Sequence, residues 1–389
     1  MTTEVQSSNA TFEGELDWAG VRAEFPVTET YAYLNSAGAG PVSRSTADAA
    51  AQFYRETMES GDRLWEQWLA RRERARADVA RLINAEPEEI AFTTNTSSGM
   101  NLIVDALEGA GRVVSCDLEF PVTTIPWLHR GARVRMVEAR GGVLRVEDVL
   151  AAAGAERSVI CLSHVQYSNG LRTPVEEVGE RKGRHLFVVN AAQSAGVFPI
   201  DVKRMKIDAL CSTGHKWLLA GYGSGFVYLS RELLEQTRPR AVSWMSVADP
   251  FAMRNDSYEL RPDAAARAET GCPHFAGIYA LGESTRRLLE LGVENVERRA
   301  LALNRRLTES LSAAGWEVLS PLGDESYRSA ETLVRAADPL AAVRHLAKHR
   351  VAVTLKPEGF RAATHYFNDD SDLSRLVEAL SEMRDVKDS

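Results

Sequence analysis

The 389 residues predict an α/β fold: a mostly parallel central sheet with helices on both faces, followed by a smaller α+β C-terminal domain. Three observations carry that expectation. Short apolar runs alternate with helix-length segments from about residue 45 to about residue 250. The runs are nearly continuous in apolar residues, as in strands buried on both faces. Beyond Asp263 the pattern changes to long helices with a few short strands, punctuated by Gly315 and Gly359.

Taken in order, Met1 to Glu15 is polar and lacks an apolar signal core, which predicts a frayed tail and not a targeting peptide. Buried strands are expected at Ile90–Thr94, Val113–Cys116, Val134–Val137, Val159–His164, Leu186–Asn190, Ala209–Thr213 and Phe226–Leu229. The helix-length segments between most of them make parallel connections the natural choice. In the second region long helices are expected over Ala280–Ala314, strands near Trp316–Leu319, Thr332–Val334 and Val351–Leu355, and a last helix from Asp372 to Met383. The domains divide as a tail at 1–15, an N-terminal arm and large domain at 16–262, and a small C-terminal domain at 263–389.

Composition narrows the function classes. Hydrophobic residues make up 44% and charged residues 26%, which is globular, and the net charge of −8 argues against a nucleic-acid or anionic-membrane binder. No run of about 18 apolar residues predicts a membrane span. Cys116, Cys161, Cys211 and Cys272 form no CxxC pair, so each is expected in or near the core of a chain kept in a reducing cytoplasm. Six arginines, at 63, 71, 72, 74, 76 and 81, share one helical segment with Glu66, Glu73 and Asp78, which predicts a solvated, salt-bridged face. His345 and His349 have the i,i+4 spacing of metal ligands, but no third ligand is apparent, so no metal is expected.

The chemistry is concentrated at predicted strand ends, where ligands bind in open α/β sheets. Lys216 lies in Ser212-Thr213-Gly214-His215-Lys216-Trp217, just past one strand. Asn190-Ala191-Ala192-Gln193 follows the neighbouring strand. Thr94-Asn95-Thr96-Ser97-Ser98-Gly99 ends a third strand and opens a helix, whose free N–H groups and hydroxyls suit a phosphate, although Thr and Ser are also ordinary helix caps. A lysine amine beside a phosphate site can form a Schiff base with an aldehyde. The aldehyde that combines a dedicated lysine, a phosphate and a ring nitrogen needing a partner is pyridoxal 5′-phosphate (PLP).

With these segments, and with Gly221-Tyr222-Gly223-Ser224-Gly225, Tyr33-Leu34-Asn35-Ser36-Ala37 and Arg361…Asn368, the chain resembles the class V aminotransferase family of fold-type I PLP enzymes. That group includes cysteine desulfurases, isopenicillin N epimerase-like proteins and cysteine-conjugate C–S lyases. The resemblance implies that Lys216 is the Schiff-base lysine and proton shuttle. It implies that Thr96, Ser97, Thr213 and His215 bind the phosphate, that Phe120 stacks on the pyridine ring, and that Gln193 bonds the ring hydroxyl. Arg361 would clamp the substrate carboxylate, for which a planar guanidinium is the natural partner. The loop through Asn35, Ala37 and Gly38 would close over the substrate. The segment Glu269–His274, including Cys272, would approach the phosphate of a neighbouring subunit, implying a homodimer with shared sites. Residues facing the substrate side chain are expected from Ala37–Gly40, Tyr167–Leu171 and Trp244–Met253.

Three positions depart from the family pattern. Asn190 stands where Asp is usual, so the ring nitrogen lacks a compensating charge. Cys272 replaces a Thr, and His274 an Asn. The nucleophilic cysteine that desulfurases carry shortly before the arginine is absent from Val351–Phe360. The expectation is therefore a PLP enzyme acting at the α-carbon of an amino acid, with a lyase (β-elimination or C–S cleavage) first. An aminotransferase or epimerase is the alternative within enzymes, and a non-catalytic PLP-fold binding protein the alternative outside them.

Overall fold

The structure, a computed structural model, describes residues 16–109, 111–261 and 265–388, with side chains to 383. The tail at 1–15 and the domain boundary at 262/263 lie outside the described residues. The large sheet has seven strands in the spatial order Ile90–Thr93, Gly225–Leu229, Ala209–Thr213, Leu186–Asn190, Val159–Ser163, Arg112–Cys116 and Arg133–Val137. Gly225–Leu229 runs antiparallel to both of its neighbours, and every other pairing in this sheet is parallel. Alternate residues of a strand feed opposite faces. Val114, Ile160, Phe187 and Leu210 belong to one buried cluster, while Val113, Val159, Val188 and Ala209 belong to another. Both faces of the inner strands are therefore covered, which is why they read as continuous apolar runs, whereas the edge strand Arg133–Val137, expected to be buried, is mostly exposed. The helix Thr96–Ala106 approaches the second face so closely that a Cβ on Gly99 would sit 3.0 Å from that of Cys211.

A second, antiparallel sheet joins Thr354–Lys356, Gly359–Ala363 and Glu331–Arg335. The N-terminal arm is stitched to this part of the molecule. Ala32–Tyr33 pairs in parallel with Val351–Ala352, and Asn35 bridges to Ala363. Arg22 also pairs with Asp372 at 2.7 Å.

Several sequence expectations are corrected here. The long helices expected over Ala280–Ala314 start earlier, as Phe275–Leu291 and Val293–Ala313, and are parted at Gly292, whose φ is +75. The first packs on Arg44–Ser60 and Trp65–Leu82, where Trp68, Phe275 and Tyr279 form an aromatic cluster with Phe53. The arginine-rich face is salt-bridged but not fully solvated. Arg72 and Arg76 are buried, and Glu269 binds Arg76 at 2.7 Å from across the chain. Trp316–Leu319 forms no strand; Val318 makes one isolated bridge to Val334. Cys272 is exposed, whereas Cys116, Cys161 and Cys211 are buried. Glu382 comes to the His345/His349 pair, 3.6 Å from His349, but Nε2 of His345 is already engaged by the Ala379 carbonyl. Among the described residues no helix is long and apolar enough to cross a membrane.

Candidate active site

The carboxyl ends of Ile90–Thr93, Leu186–Asn190 and Ala209–Thr213 converge beside the small sheet, and Lys216 lies in the turn after the last of them. The turn is tight. A Cβ on Gly214 would meet the Ser224 hydroxyl, and one on Gly40 would meet the Lys216 carbonyl. The arm is therefore pressed against the lysine loop, and the Gly40 N–H donates to the His215 carbonyl at 2.7 Å. Burial, assisted by the Arg361 charge, pulls the Lys216 amine from 10.5 down to about 8, with Glu331 opposing. The neutral, nucleophilic fraction of this amine thus grows as pH rises through about 8. Capture of free PLP by cofactor-stripped protein should accelerate most steeply near pH 8 and level off above it. Stopped-flow absorbance checks this, and a rate still climbing beyond pH of about 10 would mean an ordinary lysine.

The phosphate-side residues gather at one end of the site. Asn95 caps the helix Thr96–Ala106 by accepting from the Ser98 N–H at 2.9 Å, and Ser98 reciprocates toward the Asn95 N–H. The first turn carries further N–H groups with no intrahelical acceptor, as an anion site requires. Thr96 is buried and Ser97 exposed. The Thr213 hydroxyl lies 2.8 Å from Nδ1 of His215, whose ring stacks on Tyr222 at 4.5 Å. Burial and the neighbouring Lys216 pull His215 down to about 4, so the ring is neutral and keeps a single N–H.

The ring-side residues carry the most informative geometry. Phe120 is 45% exposed, with Nζ of Lys216 5.8 Å from its ring centre and Tyr167 edge-on at 5.0 Å. An open aromatic face opposite a lysine fits a stacked planar cofactor. Gln193 donates to the Ala37 carbonyl at 3.0 Å and accepts from the Trp217 indole at 2.7 Å, leaving one amide N–H to spare. Asn190 is buried, and its amide orientation is fixed by its neighbours. The Ala192 N–H can only donate, so the Asn190 atom 3.0 Å away is the oxygen. The amide nitrogen then faces Thr123, donating to its hydroxyl at 3.0 Å. That hydroxyl in turn donates to Glu119, a fully buried carboxyl that burial pushes up and that also accepts from Ser163 and Gln166. One N–H of Asn190 remains for a ring nitrogen. These residues fit PLP, and Asn190 brings a neutral amide with one N–H to spare where a carboxylate could only accept.

The substrate end is built mostly by the small sheet. Arg361 lies on Gly359–Ala363, a strand not among those the sequence predicts. Its Nη1 donates to the Tyr167 carbonyl at 2.8 Å and lies 3.0 Å from Oε2 of Glu331. Asn35 accepts from the Thr354 hydroxyl, and Ala37 offers its carbonyl to Gln193, so both hold the arm over the site. Arg361→Lys should raise KM for an α-amino acid sharply, because a point ammonium cannot reproduce a forked contact. A desolvated charge contact is worth about 2–5 kcal/mol. Steady-state kinetics check this, and an unchanged KM would place the carboxylate elsewhere.

Other expected residues stand apart. Cys272 and His274 line a cavity of about 520 Å³ with Thr94, Ser98 and Gly223 of the same chain, and His274 contacts the Gly223 carbonyl at 3.0 Å. Trp244–Met253 belongs to a lobe that lines its own cavity with Arg254–Glu259; no hydrogen bond or ring contact joins it to Lys216 or Arg361 among the described residues. Sequence reasoning missed Glu119, Thr123, Glu331 and Lys356. Only Glu331 left a local signal, a single carboxylate in the apolar run Ala330–Val334, where an unpaired charge is rarely buried.

Comparison with known proteins gives the family and the fold. The aminotransferase class-V family model matches residues 32–364. A probable cysteine desulfurase of Methanothermobacter thermautotrophicus is 28% identical over 93% of this chain and 97% of its own length. An isopenicillin N epimerase of Amycolatopsis lactamdurans is 29% identical over 94% of this chain and 98% of its own. In the solved structure of apo cysteine desulfurase from Thermococcus onnurineus NA1 the fold recurs, with a TM-score of 0.86 at 23% identity over 94% of this chain and 97% of the other. The chain belongs to the class-V aminotransferase family and is a PLP-dependent enzyme of fold type I.

Proposed function

We propose that the chain is a lyase that removes a leaving group from the β-carbon of an α-amino acid, with C–S cleavage the favoured case. The orientation of Asn190 carries this reading. Its spare N–H can bond a ring nitrogen only while that nitrogen is unprotonated. When bound, PLP draws electrons from the bonds at the substrate α-carbon. Asn190 moderates that pull, leaving more electron density to expel a β-substituent and less to support full amino transfer. Lys216, partly neutral near physiological pH, takes the α-proton, and Arg361 holds the carboxylate. The desulfurase-type persulfide step is disfavoured, because Val351–Phe360 carries Lys356 and no cysteine.

Epimerisation is the second reading, favoured by the likeness to isopenicillin N epimerase and by the same electronics, since proton removal and return needs no strong electron sink. The test is product analysis over a panel of amino acids without added keto acid. Pyruvate or its homologue supports the lyase, an inverted α-centre the epimerase, and turnover only with an added keto acid would refute both.

A homodimer with shared sites and a cytoplasmic location complete the proposal. The exposed Cys272 and the open cavity beside Thr94 support a face that a second subunit covers. Light scattering reads the assembly, and a fully active monomer would contradict it.

A further inference from the structure

Two charges beside Arg361, those of Lys356 and Glu331, have no role in the account so far. Lys356 Nζ and Arg361 Nη1 both donate to one oxygen, the Tyr167 carbonyl, at 2.6 and 2.8 Å. Two cations bridged by a single carbonyl repel each other unless an anion is near. Glu331 supplies that anion from the adjacent strand, fully buried and 3.0 Å from Arg361. Burial pushes the Glu331 carboxyl up, while Arg361, Lys356 and Lys216 each pull it back. The guanidinium beside it is permanently charged, so the ionised carboxylate is the form the geometry supports.

The pairing is incomplete as hydrogen bonding. Arg361 Nη1 reaches Oε2 of Glu331, but Oε1 of Glu331 and Nε of Arg361 are buried without a hydrogen-bond partner among the described residues. A buried carboxylate oxygen and guanidinium N–H left in this way beside the cofactor face leave room for a further polar partner. Lys356 also lies over the Tyr167 ring at 4.1 Å, and that ring meets Phe120, so the cluster is continuous with the cofactor face. Two cations and one anion leave one positive charge. A single carboxylate entering here brings the site to neutrality, whereas a second would be desolvated against Glu331.

We propose that Lys356, Arg361 and Glu331 form one carboxylate site of net charge +1, which takes the α-carboxylate of an amino acid and rejects substrates with an acidic side chain. Glu331 is then a specificity-determining residue, and Lys356 is a second binding cation beside Arg361. The inference rests on the reading of the chain as a PLP enzyme that binds amino acids.

The test titrates the full cofactor-loaded chain with 2-aminoisobutyrate and with α-methylaspartate, two amino acids without an α-proton, and follows the visible absorption of the cofactor. The wild type should bind 2-aminoisobutyrate at least about tenfold more tightly, and Glu331→Gln should close that gap by about tenfold, as expected when a like charge is removed from a buried site. Lys356→Gln should weaken 2-aminoisobutyrate by about tenfold while keeping the visible band. A wild type that has the band but no preference overturns this proposal alone. So does an unchanged gap in a Glu331→Gln protein of normal band and melting temperature. If Glu331→Gln fails to retain the cofactor, Lys356→Gln decides, and unchanged affinity there overturns the proposal. A wild type without the band would defeat the cofactor reading and this inference together.

Discussion

Lys216→Ala is expected to abolish the lysine-linked visible band and to lower turnover by at least about 10²–10⁴-fold, the worth of a positioned proton-transfer group. The expectation follows from where the amine sits. It is half-buried, its charge is disfavoured by desolvation and by Arg361, and Glu331 pulls the other way. The amine is thus held part-neutral near pH 8, as both covalent attachment and proton transfer require. Among the described residues no salt bridge or side-chain hydrogen bond holds the amine in place, so alanine removes a desolvation cost without orphaning a partner. The variant should therefore fold with an undiminished melting temperature, and a small primary amine in solution should restore part of the activity. Absorption spectra, calorimetry and turnover of one preparation check all three. A variant that keeps the band, or full turnover, would contradict the assignment of Lys216.

The second large effect is expected at Asn190. Asn190→Asp replaces the spare N–H by a carboxylate at the same place. A carboxylate at hydrogen-bond distance should raise the affinity of a ring nitrogen for its proton by about 1–3 pK units. The ring then becomes a stronger electron sink. In a native lyase or epimerase, the variant should gain side transamination, seen as pyridoxamine phosphate and keto acid, with little or no gain in the native product. The Ala192 N–H would still find an oxygen, while the single Thr123 proton would turn from Glu119 to the new carboxylate. A large rise in clean transamination with nothing lost would point to an aminotransferase and overturn the lyase reading.

Much of the frame was legible in the sequence because it depends on local pattern. The strands Leu186–Asn190 and Ala209–Thr213 are uninterrupted buried runs, and their ends carry Asn190 and Lys216 as expected. The strand Gly359–Ala363 was not legible, because a glycine and an arginine break its apolar run; pairing with Glu331–Arg335 makes it a strand. The helix break at Gly292 needed the φ that only the fold reveals. Side-chain clusters were least legible of all. Lys356 meets the Tyr167 carbonyl across 189 positions, and Arg361 meets it across 194, so no window of sequence contains either contact. The burial of Arg76 likewise depends on Glu269, 193 positions away, and so reads as a surface charge until the chain is folded.

The account turns on the donor that Asn190 presents, and the protonation of the cofactor ring nitrogen tests it most directly. The measurement is the ¹⁵N chemical shift of ring-labelled PLP bound to the wild type and to Asn190→Asp, at neutral pH. The account predicts an unprotonated nitrogen in the wild type and a protonated one in the variant. A protonated ring nitrogen in the wild type would contradict it, because the spare N–H of Asn190 would then face another N–H, and the electronic case for a lyase would fall.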